Sequence, residues 1–356
     1  MKKLSVCVLF GGVSPEHEVS LRSAEFVLNS LDHEKFNVFP VGITKNGDWI
    51  LYTGTDYSLL PTGEWQRYEH NRRAAISPVR GQGLLSFEGD CVVREWIDVV
   101  FPVLHGENGE DGAMQGLLQL AGIPYVGPHV AASAVAMDKT LTKLVVEQAG
   151  IRQAKWMLIR NSDLNVRTDW VMDQVEKKFQ YPVFVKPSGT GSSVGVSKAA
   201  NREQLKDALL KAGTYDNKIL VEEFINGREV EVAVMGNENP VASICGEIDS
   251  GAEFYDYDAK YLTDTSVAYV PARISDTIEE QVRDTAVRIY NAIGCQGLSR
   301  VDFFVTYDGD EVVFNEINTL PGFTSISMFP KLFAASGIPS EQLVEELINL
   351  AMEASK

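Results

Sequence analysis

Ser299-Arg300-Val301-Asp302-Phe303-Phe304-Val305-Thr306-Tyr307-Asp308-Gly309-Asp310-Glu311-Val312-Val313-Phe314-Asn315-Glu316-Ile317-Asn318 reads as two strands joined by a turn. Its apolar runs flank Asp308-Gly309-Asp310, a hairpin signal. A three-residue loop centred on Gly309 sets Asp302 opposite Glu316 and Arg300 opposite Asn318. Side chains alternate along a strand, so these four share one face while Val301, Phe303 and Val305 share the other. Opposed Cβ atoms lie about 4.5–5.5 Å apart, and facing like charges are destabilising without a cation. Two acceptor-only carboxylates and an amide oxygen at that spacing suit an oxygen-ligated magnesium ion. Arg300 beside them suits a phosphate or a developing oxyanion. The competing reading is a surface hairpin with solvated charges, and a β-bulge would shift the register that the metal site needs.

The start of the chain follows a different rhythm. Residues 4–10 form a short continuous apolar run, as in a parallel strand buried on both faces. Gly11-Gly12 ends it, and Ser14-Pro15 supplies an N-cap and a first-turn proline. Val19, Ala24, Phe26, Val27 and Leu31 make an apolar helical stripe. Strands over 36–43 and 98–104 and a helix over 111–121 complete a βαβ pattern, which predicts an open α/β sheet over residues 1–127. Residues 44–97 read as an inserted set of short strands and loops that carries no chemistry. Beyond it, helices are expected over 137–148, 170–178, 204–211, 278–293 and 340–354. Strands are expected over 155–160, 182–186, 219–224 and 229–235.

Two glycine-rich tracts stand out. Lys186-Pro187-Ser188-Gly189-Thr190-Gly191-Ser192-Ser193-Val194-Gly195 follows a strand, and its glycines and hydroxyls let backbone N–H groups approach a phosphate. Its lysine precedes the loop, so the Walker order is absent, as is the GxGxxG of dinucleotide folds. A flexible linker explains its composition equally well. His105-Gly106-Glu107-Asn108-Gly109-Glu110-Asp111-Gly112 lies just past a strand end, where open α/β sheets bind ligands. Lys139 is a further phosphate cation or, alone, an ordinary helix charge.

The 356 residues carry 49 acidic and 32 basic side chains, a net charge of −17. That sign repels nucleic-acid backbones and anionic membrane surfaces, yet a local cation cluster or a magnesium ion still admits a small anion such as ATP. Cys7, Cys91, Cys245 and Cys295 form no CxxC pair and are each expected to be small buried apolar residues. No apolar run approaches the roughly 20 residues of a membrane span, and residues 4–10 are too few for a secretion signal. A soluble, cytoplasmic protein is expected.

Together these segments resemble the D-alanine–D-alanine ligases of the ATP-grasp superfamily. The residues that carry the resemblance are Phe10 to Ser20, His105 to Gly112, Met137-Asp138-Lys139, Lys186 to Gly195, Tyr255 to Tyr261, Ser299 to Asp302 and Asn315-Glu316-Ile317-Asn318-Thr319-Leu320-Pro321-Gly322-Phe323-Thr324-Ser325 onward to Ser327. The 44–97 insertion is similar to that of the longer branch, which includes the vancomycin-resistance ligases. The resemblance implies an α/β first domain over 1–127 followed by a two-domain ATP-grasp fold of mixed α+β type, divided into 128–221 and 222–356. It implies that Lys139, Lys186 and Lys260 contact phosphates, with Ser192 and Ser193 in the covering loop. Glu222, Glu223 and Ile225 would lie near the adenine edge, and Glu229 would accept from the ribose. Asp302, Glu316 and Asn318 would hold two magnesium ions, or manganese.

For the chemistry, the same resemblance implies that Glu16 pairs with the ammonium of a first D-alanine and that His105 helps orient it. Arg300 and Gly322 would stabilise an oxyanion, while Ser327, followed by Met328, would hold the second substrate's carboxylate. Ser192, Glu16 and Tyr261 would form a hydrogen-bonded set, with Lys260 and Tyr261 in a lid over residues 250–266. Lactate-forming relatives tend to carry His or Phe in place of Tyr261, and lactate- or serine-using ones often carry Arg where Met328 stands. The implied product is D-alanyl-D-alanine, with D-serine or D-lactate as the alternative second substrate. The implied assembly is a homodimer.

Overall fold

The computed structural model describes residues 3–249 and 267–355. Residues 250–266, with Lys260 and Tyr261, lie outside the described residues. The first sheet is built from Leu4–Gly11 (β1), Phe36–Ile43 (β2), Trp49–Leu51 (β3), Arg72–Ile76 (β4), Leu84–Glu88 (β5), Cys91–Glu95 (β6) and Val99–Val103 (β7), in the order β6-β5-β4-β3-β2-β1-β7. Only β2, β1 and β7 pair in parallel. The inserted segment is therefore the sheet's antiparallel continuation, running outward from β2.

Helix His17–Ser30 (α1) packs on this sheet through Leu21, Ala24, Val27 and Leu28, but also through Ser20, Ser23 and Ser30. The expected stripe members Val19 and Phe26 are only half-buried. Each buried serine has a partner: Ser20 Oγ donates to the Val103 carbonyl and accepts from Gly11 N–H at the ends of the parallel strands, Ser23 meets His105 and Phe323 N–H, and Ser30 donates back to the Phe26 carbonyl of its own helix. Trp65, from the inserted segment, is fully buried with its ring edge-on to Phe10 at 5.0 Å. Gly42 permits that approach, since a Cβ there would sit 2.1 Å from the indole. Trp65→Ala should cost about 3–5 kcal/mol in urea unfolding. A loss below about 1 kcal/mol would show that the segment does not help to hold β1 in place.

The chain continues through Ala113–Ala121 (α2), Val130–Met137 (α3) and Lys139–Gln148 (α4). The one helix expected over 137–148 is broken at Asp138, whose side chain caps the Thr140 and Leu141 N–H groups. Trp156–Arg160 (β8), Asn161–Lys178 (α5), Val183–Pro187 (β9), Ser197–Ala199 (β10), Arg202–Gly213 (α6) and Lys218–Glu223 (β11) follow. They make a four-stranded antiparallel sheet, β10-β9-β11-β8, with α5 and α6 sharing its core.

Gly227–Gly236 (β12), Val241–Asp249 (β13), Val267–Tyr269 (β14), Asp276–Ile293 (α7), Gly297–Thr306 (β15), Val312–Asn318 (β16), Met328–Ala335 (α8) and Ser340–Ala354 (α9) complete the described chain. Their sheet runs β14-β13-β12-β15-β16. One face buries Val230, Val232, Val301, Phe303 and Val305 beneath α3, α4 and α7. From the other, Ala233, Met235 and Leu298 join α8, α9 and β1 in one core.

Residues 130–151 contribute to the core of the five-stranded sheet, and the four-stranded sheet starts at β8. β11 pairs with β8 and β9 along its length. The expectation for the cysteines is overturned at Cys91. It opens the edge strand β6, solvated on both faces, and is exposed, whereas Cys7, Cys245 and Cys295 are buried. Among the described residues no helix is long and apolar enough to cross a membrane.

Candidate active site

Asp302 does face Glu316, by a different route from the simple hairpin. Val305 pairs with Val312, Phe304 with Val313 and Phe303 with Phe314; the register then shifts, and Asp302 pairs with Glu316 and Arg300 with Asn318. The turn is one residue longer than expected, closed by Thr306 N–H donating to the Glu311 carbonyl at 3.1 Å. A bulge at Asn315 takes up the extra residue and restores the alignment. The apolar back face, Val301, Phe303 and Val305, lies in the core as its alternation requires.

Arg300 lies against this carboxylate face. Its Nε and Nη2 donate to the two oxygens of Asp302, each at 2.7 Å, and Nε is 3.1 Å from Glu231 Oε2. Burial opposes the guanidinium charge, but Asp302 and Glu231 outweigh it and hold Arg300 protonated well above its usual range. Asn318 Nδ2 donates to Asp302 Oδ2 at 3.1 Å. Glu231 comes from β12 directly across from Asp302. Glu231 was not singled out in the sequence; the alternation Glu229-Val230-Glu231-Val232 puts it on a polar strand face but does not say which strand lies opposite.

A cavity of about 810 Å³ opens between the four- and five-stranded sheets. Its walls include Lys139, Lys186, Ser192, Ser193, Glu222, Glu223, Ile225 and Glu229, with Asn315 and Glu316 from the hairpin. Glu222 is turned towards lysines: Lys186 Nζ is 2.7 Å from one oxygen and Lys143 Nζ is paired with the other. Burial alone would raise the Glu222 carboxyl, but the two ammoniums pull it down to about 2. Burial lowers Lys143, with Glu222 only partly offsetting it, while in Lys186 the pull of Glu222 wins and the ammonium is held above its usual range. Glu223 accepts from Lys155 N–H at 2.8 Å. Lys143 escaped the sequence reading, although it lies one turn beyond Lys139 on the same helix face.

The glycine-rich tract closes over one end of this cavity. Ser192 and Ser193 have φ of +49° and +58°, a left-handed backbone that side chains rarely adopt and that costs roughly 1 kcal/mol or more per residue. Lys139 Nζ donates to the Thr190 carbonyl. Ser192 Oγ donates to Glu16, at the start of α1, which joins the tract to the first sheet. Gly106 makes room for that carboxylate: its φ is +73°, and a Cβ there would lie 2.5 Å from Glu16 Oε2. Tyr261, the third expected member of the set, and Lys260 lie outside the described residues.

The loop bearing Gly322 is clamped to the same edge. His105 Nδ1 is 2.9 Å from the Leu320 carbonyl and its Nε2 is 3.0 Å from Ser23 Oγ. Phe323 N–H donates to that hydroxyl at 3.1 Å. These partners assign the neutral tautomer with the proton on Nδ1, and burial lowers the imidazole accordingly. Both ring nitrogens are thus engaged within the protein. Glu110 accepts from Leu320 N–H at 3.0 Å and Gly106 N–H at 2.8 Å; burial and then the charge of Glu16 push it up to about 8. Ser327 Oγ accepts from Thr324 N–H at 3.0 Å ahead of α8, and Met328 behind it is buried. Ser23 and Glu110 were not assigned roles in the sequence; only the placement of Glu110 in the glycine tract hinted at one.

The donor types on the hairpin, two carboxylates opposed across a ladder with an amide next to them, suit a hard divalent cation. In this structure both Asp302 oxygens accept from Arg300, and the described residues hold no group of three or more His, Cys, Asp or Glu placed for a metal. The whole arrangement offers cations for phosphates, a carboxylate for an ammonium, and a guanidinium with backbone amides for an oxyanion. The chain as a whole is similar to known proteins. The chain matches the models for the D-ala D-ala ligase N-terminus over residues 5–128 and the D-ala D-ala ligase C-terminus over residues 145–349. It is 50% identical over 363 residues to the D-alanine–D-alanine ligase of Acetivibrio thermocellus, spanning 99% of this chain and 96% of that protein. Among solved structures it superposes on the VanG D-Ala:D-Ser ligase from Enterococcus faecalis with a TM-score of 0.90, at 38% identity over 98% of this chain and 100% of that one. The D-alanine-D-alanine ligase from Coxiella burnetii gives 0.85, at 35% identity over 99% and 96%. The chain belongs to the D-alanine–D-alanine ligase family.

Proposed function

We propose that the protein joins two D-alanine molecules, with ATP as the energy source, to make D-alanyl-D-alanine for peptidoglycan synthesis. The observation that carries this reading is the shared cavity. Every described residue assigned to the nucleotide lines it, and Glu316 of the carboxylate hairpin stands in the same wall.

Glu16 pairs with the ammonium of the first D-alanine, held in place by Ser192. Lys139 and Lys186 hold the triphosphate. A carboxylate oxygen of the first D-alanine attacks the γ-phosphorus, the bond to ADP breaks, and an acyl phosphate forms. The second D-alanine gives its ammonium proton to solvent, and the free amine attacks the acyl carbon. Arg300 and Gly322 N–H stabilise the resulting oxyanion; the C–O bond to phosphate breaks, and the departing phosphate takes the second proton from the new amide nitrogen. The protein's share is positioning and preorganised charge. Asp302, Glu316 and Asn318 would hold magnesium or manganese, which neutralises charge on the transferring phosphoryl group when bound. The enzyme acts in the cytoplasm as a homodimer.

A serine-using ligase is the second reading, favoured by the likeness to the VanG structure. Against it, the residue after Ser327 is the apolar, buried Met328. Phosphate release measured in parallel with D-alanine, D-serine and D-lactate as second substrates decides the matter. D-alanine should give the highest kcat/KM; a clear lead for D-serine would overturn the assignment.

Ser192→Ala should raise the KM for the first D-alanine about tenfold, the value of one hydrogen bond to a charged group, with the KM for ATP within about twofold. A change confined to ATP would instead place Ser192 on the nucleotide.

A further inference from the structure

Lys143, Glu222 and Lys186 form a buried trio in the cavity wall, with two cations on one carboxylate. Lys186 Nζ is 2.7 Å from one Glu222 oxygen, and Lys143 is paired with the other. The Lys143 and Glu222 side chains are 3% and 5% exposed, so water screens neither. Three separate elements supply the trio: Lys143 from α4, Lys186 from β9 and Glu222 from β11. The Phe314 ring, 5.9 Å from the Lys143 ammonium, covers it from the side of the hairpin.

The charge count gives Lys143 a task. Lys186 and Glu222 alone would form a closed neutral pair, and a phosphate approaching Lys186 would meet the Glu222 charge close behind it. With Lys143 taking the second oxygen, the trio carries one net positive charge at the wall that faces the cavity. Glu316 lines the same gap, and its charge belongs to the metal site in the reading above. We propose that Lys143 is a positioning residue for phosphate binding: it neutralises Glu222, so that Lys186 meets the nucleotide with its charge uncancelled. This rests on Lys186 being a phosphate ligand.

Calorimetric titration of the whole protein with ATP and, separately, with adenosine tests it. Lys143→Met should weaken ATP binding at least about tenfold and leave adenosine within about twofold, because adenosine carries no phosphate. Glu222→Gln removes the negative charge while keeping an acceptor for Lys186; because Glu222 is itself assigned to the adenine edge, the double variant is compared with Glu222→Gln alone. If Lys143 acts by neutralising Glu222, adding Lys143→Met to Glu222→Gln should change ATP affinity by less than about threefold. A Lys143 that only packs α4 against β11 predicts the same loss in both backgrounds. Unchanged ATP affinity in Lys143→Met, or an equal loss in the Glu222→Gln background, overturns the proposal. Should the single variant not fold, the comparison of the double variant with Glu222→Gln decides alone: agreement within about threefold supports the proposal and a loss beyond about tenfold overturns it. Lys186→Met separates the two levels. If it weakens ATP while Lys143→Met does not, only this inference fails; if it leaves ATP binding unchanged, the phosphate reading fails and the inference with it.

Discussion

Glu316→Gln is expected to cut ATP-dependent turnover at least about a hundredfold while leaving the fold intact. Glu316 faces Asp302 across the ladder, and Arg300, bound to both Asp302 oxygens at 2.7 Å, already balances that carboxylate. The amide has the size of the carboxylate it replaces, so stability should change by less than about 1 kcal/mol. In the proposed metal site the Glu316 charge is a ligand, and a metal's stabilisation of a phosphoryl transition state is worth several kcal/mol. Denaturant unfolding beside a magnesium titration of turnover reads both. Full activity at ordinary magnesium concentrations would remove Glu316 from the metal site.

Arg300→Met should be as damaging to turnover and much worse for stability. Arg300 holds Asp302 through two hydrogen bonds and is also paired with Glu231, all three being largely buried. The methionine leaves two buried carboxylates without their cation, at about 3–5 kcal/mol, and removes the proposed oxyanion donor, worth roughly 10²–10³ in kcat. The sign of the pH dependence follows. In the variant, like charge and burial raise the folded-state pKa of the carboxylates above their unfolded values. The variant should then regain stability as pH falls and lose it as pH rises through those raised values. In the parent Arg300 stays charged throughout, so this recovery on acidification should be absent. An Arg300→Met protein as stable as the parent at pH 8 would contradict the pairing. Arg300→Lys should rescue part of the stability but little of the turnover, because lysine cannot form the fork.

The central face of the site was legible because strand periodicity is local. Arg300, Asp302, Glu316 and Asn318 share a side for reasons contained in twenty residues. Their register came out as expected only because a longer turn and the bulge at Asn315 offset each other, and neither is marked by glycine or proline in β16. The inward serines of α1 were missed because apolar periodicity cannot register polar residues whose partners only the folded chain supplies. Lys143, Glu231 and Glu110 were opaque for a similar reason. Each is an ordinary charge in sequence and acquires meaning only when a distant strand or loop buries it beside a partner. The allocation of α3 and α4 to the third sheet is likewise a tertiary fact, set by which core has room for Ala132, Ala136 and Val146.

The most direct test is diffraction at the manganese edge from crystals grown with manganese and a non-hydrolysable ATP analogue. An anomalous peak should lie within coordination distance of the Asp302 and Glu316 carboxylates and touch the terminal phosphates, with Lys139 and Lys186 on the same phosphate chain. A peak elsewhere, or a nucleotide bound outside the cavity between the two sheets, would contradict the account.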